Sequence, residues 1–154
     1  MKIRFRTSAL LLPLFLIFCT PALASSIDES LPDAQTLNRL ELQAQEAKPR
    51  EQCFLYAELV HTMTEIAGKQ MLSGDIDQAS ATLKKVEHYA QLIHLGLARD
   101  TKRLKSAEML MHHTTYRLNE YLHQASGEDQ ATLQATLKQL DSVQNELLTQ
   151  VFNH

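Results

Sequence analysis

Between Ile76 and Ala125 apolar residues recur in alternating steps of three and four. The positions are Ile76, Ala79, Leu83, Val86, Ala90, Ile93, Leu97, Asp100, Leu104, Ala107, Met111, Thr114, Leu118, Tyr121 and Ala125, and thirteen of the fifteen are apolar. A repeat of 3.5 residues held this long predicts one long helix, about 75 Å at 1.5 Å per residue, facing partners along a coiled-coil-like seam. Gly96 is the only strong helix-weakener in the stretch. The competing pattern is a break between Gly96 and Thr101. A break normally resets the phase of the apolar stripe, and the stripe here does not slip, so continuity is the expectation.

Shorter stripes flank this element. Leu37, Leu40, Ala44 and Ala47 mark one face of a helix over Asp33 to Ala47. Pro49 then ends that helix or opens the next, because Pro is accommodated in a first turn and excluded from an interior. A second helix runs to about Leu72 with Tyr56, Val60, Met63, Ala67 and Gln70 on its stripe, and a last one runs from about Asp129 to Phe152 through Leu133, Leu137, Leu140, Leu147 and Val151. "SGD" at Ser73 is the clearest stop, since Gly74 can turn left-handed and Asp75 can cap the next helix. "SGDIDQASATLKKVE" from Ser73 and "SGEDQATLQATLKQLD" from Ser126 are related text, a hint of a duplicated helix–turn–helix with a period near 53 residues. The fold class is therefore all-α: antiparallel helical hairpins bundled around a long central helix.

The first 24 residues read as an export signal. Lys2, Arg4 and Arg6 precede an apolar run from Ala9 to Phe18, and Ala22 and Ala24 supply the small residues that place cleavage before Ser25. Cys19 raises a lipoprotein alternative, which the bulky Phe18 before it disfavours. Residues 25–32 are a polar lead-in, and 33–154 form a single helical domain. Losing the leader leaves 12 basic against 18 acidic residues, a net charge of −6. Such a chain is a poor non-specific binder of nucleic acid. Cys53, alone after cleavage, reads as a small buried hydrophobe beside Phe54, Leu55 and Tyr56. No later stretch approaches membrane-spanning length. The expected location is the periplasm or the exterior.

Ala67, Gly74, Ala79 and Leu83, with the turn "GDIDQA", give residues 57–90 a resemblance to a tetratricopeptide-type helical hairpin. That resemblance implies a protein- or peptide-binding surface. As a whole the chain looks like the small exported all-helical proteins of bacteria.

Chemistry-bearing residues are sparse. Two Glu-x-x-His pairs, Glu58/His61 and Glu120/His123, match the spacing with which four-helix carboxylate bundles hold two metal ions. The seam direction puts Glu120 and His123 outside it and leaves Glu58 and His61 flanking it, so both read as surface pairs. Met63 and Met111 face seams but have no seam His beside them, and Cys-x-x-Cys-His is lacking, so haem finds no evident ligands. Glu108/His112 is a further surface pair. Seven histidines against an acidic excess of six predict altered solubility or self-association between roughly pH 7 and pH 5. "RDTKRLK" from Arg99 is a basic ring on the polar side. Ser73 and Ser126 sit in turns with no nucleophile elbow, and no Gly-rich phosphate loop is present, so no enzyme is expected. Leu92, Leu95, Met109 and Tyr116 lie off the seam and form the candidate interaction surface. The leading expectation is a non-enzymatic interaction or structural module of the cell envelope, joined to a protein partner or to itself. A metal- or haem-binding bundle using His61 and His123 is the alternative.

Overall fold

A computed structural model describes residues 32, 34–97, 101–125 and 127–153. The expected leader with its Cys19, most of the expected lead-in, Arg99, Asp100, Ser126 and His154 lie outside the described residues. Five helices succeed one another in chain order: α1 (Ala34–Glu46), α2 (Pro49–Leu72), α3 (Ile76–Gly96), α4 (Leu104–Gln124) and α5 (Glu128–Phe152). The chain is an all-α bundle, with no strand among the described residues.

The central element is not one rod. α3 stops at Gly96 and α4 starts at Leu104, so the expected long helix is two helices. The stripe keeps its phase because seven residues, 97–103, separate the two, and seven residues are one full repeat of the pattern. Leu104 therefore enters the core in the register that Leu97 left. The connection is pinned to the start of α2. The Lys102 amide donates to the Arg50 carbonyl at 2.7 Å, and Lys102 Nζ pairs with Glu51. Arg103 takes a left-handed conformation, φ 56°, and lays its guanidinium 3.3 Å from the centre of the Phe54 ring. A non-Gly residue in that region costs about 1 kcal/mol, and the cation–π contact offsets it.

Two of the expected boundaries hold with one difference of detail. Pro49 opens α2, and Gly74 turns left-handed at φ 84°. Asp75 occupies the position before α3 without a side-chain cap; its carboxylate instead lies 3.2 Å from the Ser73 hydroxyl.

Neighbours around the bundle are α2 with α3, α3 with α5, α5 with α4, and α4 with α2, while α2 and α5, and α3 and α4, lie on the diagonals with no close backbone approach among the described residues. Each hairpin, α2–α3 and α4–α5, is antiparallel. Across hairpins the helices run parallel, as His61 facing Thr114, Glu65 facing Arg117 and His94 facing Glu146 require. The molecule is thus one hairpin laid on another like it. Burial repeats accordingly: Cys53, Tyr56, Val60, Met63, Thr64 and Ala67 are matched 51 places later by Leu104, Ala107, Met111, Thr114, Thr115 and Leu118. In the second helices Val86, Tyr89 and Ile93 are matched 54 places later by Leu140, Val143 and Leu147. α1 packs on α2. The Gln52 amide donates to the Ala44 carbonyl and ties α1 down.

Almost every seam position is inside. Leu83, Val86, Ile93, Met111, Leu118, Leu133, Leu140 and Leu147 are all 2% exposed or less, whereas Ile76 at the rim is open. Four threonines share the core, and Thr64, Thr114, Thr115 and Thr136 each donate to the carbonyl one turn back. Their hydroxyls thereby avoid the cost of an unmet buried donor. Arg103→Ala removes the stack on Phe54 and leaves a residue still strained at that φ. A loss of about 1 kcal/mol is expected, read from urea denaturation with α2 to α5 otherwise intact.

Candidate functional site

The densest polar cluster lies where α2 meets α4. Arg117 grips Glu65 with both arms of its guanidinium, Nε to Oε1 at 2.9 Å and Nη2 to Oε2 at 3.2 Å. Its Nη1 bonds Glu120 one turn on, and Nη2 also reaches the Tyr121 hydroxyl at 2.8 Å. That hydroxyl donates in turn to Glu65 Oε2 at 2.8 Å. Bidentate charge-assisted bonds of this kind are among the stronger polar contacts in proteins. Beside them the Tyr121 ring lies flat on Gly68, so close that a Cβ there would stand 2.1 Å from Cζ. The glycine lets the two helices approach, and the tyrosine uses the space.

Ionisation follows from these contacts. Burial works against the Glu65 carboxylate, but bonds from Arg117 and Tyr121 and the guanidinium charge outweigh it and hold its pKa below the ordinary value. The Glu65 hydrogen bond raises Arg117 further. Burial, then the bond to Glu65, pushes Tyr121 up to about 12. The cluster acts as a lock between hairpins.

The two Glu-x-x-His pairs do not converge. With His61 beside Thr114 and Gly68 beside Tyr121, Glu58 and His61 stand level with about residues 111–114 of α4. Glu120 and His123 lie nine residues further on, about 13 Å along the axis. Glu120 is spent on Arg117, and His123 Nδ1 donates to the Asn119 carbonyl. The Thr114 hydroxyl donates to the Leu110 carbonyl, which makes His61 Nδ1 the donor to Thr114. The His61 ring also tilts against His113 at 5.3 Å. Burial raises Glu58, with Arg103 opposing it. No group of three or more His, Cys, Asp or Glu placed to hold a metal ion occurs among the described residues. Met63 and Met111 are core filler, both fully buried. Cys53 is buried as expected, and burial pushes its thiol up to about 12.

The candidate interaction surface is divided. Leu92 packs partly against the core, and Leu95 is open on α3. Met109 and Tyr116, each 60% exposed, lie on α4, diagonally across the bundle from α3. The four therefore belong to separate faces, because the break that splits the expected rod sends α4 diagonally across the bundle. Tyr116 instead lines a shallow groove between α4 and α5, with His112, Thr115, Asn119, Leu137, Asp141 and Gln144. There Gln144 donates to His112 Nδ1 and accepts from Thr115. Across α3 and α5, His94 pairs with Glu146. No helix among the described residues is long and apolar enough to cross a membrane.

Sequence reasoning missed the Glu65–Arg117–Tyr121 lock. A signal was present: an interior helical glycine, Gly68, and an Arg-x-x-Glu-Tyr run that puts three polar groups on one helical face. Comparison with protein-family models, with curated proteins and with solved structures gives no match.

Two measurements check the lock. Gly68→Ala gains about 1 kcal/mol of helix propensity but displaces a ring held by two hydrogen bonds, an overpacking cost of about 1–3 kcal/mol. A lower thermal midpoint is expected, where a merely exposed glycine would give a higher one. Because the Glu65 pKa is depressed in the folded state, its contribution is present above the ordinary Glu value of 4.5 and drains as the pH falls below it. Glu65→Gln should be less stable than wild type at neutral pH and lose less stability between pH 5 and pH 3, in paired denaturation curves.

Proposed function

We propose that the chain is a non-enzymatic, exported helical interaction or structural module of the cell envelope. The observation that carries this reading is the exposure of Met109 and Tyr116 on the outward side of α4, in a chain whose buried side-chain polar atoms, among the described residues, all have partners. Met and Tyr are enriched at protein contacts relative to the rest of a protein surface. The leader-like first 24 residues support export. The polar clusters support the non-catalytic part, since Glu65, Arg117, Glu120 and Tyr121 are committed to one another.

The tetratricopeptide-type resemblance of residues 57–90 belongs to the same reading. The residues that carry it, Ala67, Ala79 and Leu83, are buried.

Fractionation of cells expressing the full chain tests the proposal. The expected product lies in the envelope or medium fraction, begins at Ser25 by mass spectrometry, and has no absorbance band in the violet and no stoichiometric metal. A cytosolic product retaining residues 1–24 overturns export. A bound haem or metal at one per chain overturns the interaction reading in favour of a cofactor bundle.

A further inference from the structure

The end of the bundle that carries the turns at Ser73 and Gly127 is incompletely filled. One or two helical turns further in, the seam holds Leu83, Leu118 and Leu133, each 2% exposed or less. At the end itself it falls to alanine, Ala79 on α3 and Ala125 after α4. The large apolar side chains nearest to it stay at the rim, where Leu72 is 65% exposed and Ile76 37%. A cleft results. Its two lobes, of about 160 and 170 Å³, meet at Met71, Ile76 and Asp129. Tyr121 and Ala125 line the first lobe, and Ala79 and Leu83 line the second. Either lobe is as large as the ~150 Å³ apolar cavity that takes up a benzene ring.

The mouth of this cleft is acidic. Asp77 borders the second lobe and Asp129 borders both. They occupy the second positions of α3 and α5, where a helix dipole favours a carboxylate. Neither carboxylate has an ion-pair or hydrogen-bond partner among the described residues. Asp129 is half-buried, and that sets it apart. Glu51, Glu65 and Glu87 are half-buried too, yet each is met by a donor, respectively Lys102, Arg117 and Thr136. An apolar hollow with a few convergent polar groups is the ordinary form of a small-ligand site. Here the polar groups carry only negative charge, so the hollow is the complement of an amphipathic cation.

We propose that the cleft binds a small organic cation with an apolar tail, of the alkylammonium class. The tail lies against Met71, Ile76, Ala79 and Leu83 and takes apolar surface out of water. The ammonium group stays at the mouth, where its N–H groups donate to Asp129 and its charge is balanced by Asp129 and Asp77. A fatty acid of the same length meets two carboxylates and no counter-charge, so the cleft selects against it. This site lies at the turn end of the bundle and stands apart from the interaction reading, which rests on Met109 and Tyr116.

Isothermal titration calorimetry tests it, on protein purified from cells expressing the full chain. Propylammonium, pentylammonium and heptylammonium are the probes, with heptanol and heptanoate as controls. Binding at one ion per chain is expected, tightening about twofold to fourfold with each added methylene. Heptanol should bind about threefold or more weaker than heptylammonium, and heptanoate should give no saturable heat. Asp77→Asn with Asp129→Asn should bring heptylammonium down to the level of heptanol, with helical content unchanged. Ala125→Leu, which fills the first lobe, should weaken both. The proposal is overturned by a wild type that shows no saturable heat with any of the ammonium ions. It is equally overturned if heptanoate binds as tightly as heptylammonium, or if the double variant keeps the preference for the cation.

Discussion

Helices α2 and α4 lie side by side and point the same way, so like ends of two helix dipoles are neighbours. Antiparallel neighbours would gain a little from the same effect. The close approach at Gly68 and the Glu65–Arg117–Tyr121 lock offset this disadvantage, placing a tight van der Waals contact and a closed set of charged bonds at one level. This pairing dictates the remaining layout. Once α2 and α4 are parallel, α3 and α5 must also be parallel. The chain between the hairpins must then cross the bundle diagonally at the end where α2 begins.

That crossing is where sequence and structure part. The stripe from Ile76 to Ala125 identified the buried residues almost completely, as Ala79, Leu83, Val86, Ala90 and Ile93 on one side and Leu104, Ala107, Met111, Leu118 and Tyr121 on the other are all inside. Continuity of the stripe did not mean continuity of the helix, because a connection one heptad long restores the phase it interrupts. Position in the core is read from periodicity. Whether the backbone turns between two in-phase segments depends on contacts outside the segment, here Lys102 on Arg50 and Arg103 on Phe54.

The polar lock was harder to read for a similar reason. Glu65 and Arg117 stand 52 positions apart, and Arg117 has a local partner in Glu120 that reads as an ordinary surface pair. The related text at Ser73 and Ser126 falls at the turns of the two hairpins, which lie parallel on one another. By contrast, the Glu-x-x-His spacing was legible and uninformative. Two such pairs form a site only when helices set them at one height, and parallel packing in this register holds them about 13 Å apart.

The short turns at Ser73 and at Gly127 also bear on how the molecule assembles. Each hairpin closes through residues near in sequence, at little entropic cost, whereas the two layers join only through pairs some fifty places apart. Pairing within each hairpin thus closes short loops, while the guanidinium fork joins groups far apart along the chain and carries the larger loop-closure cost.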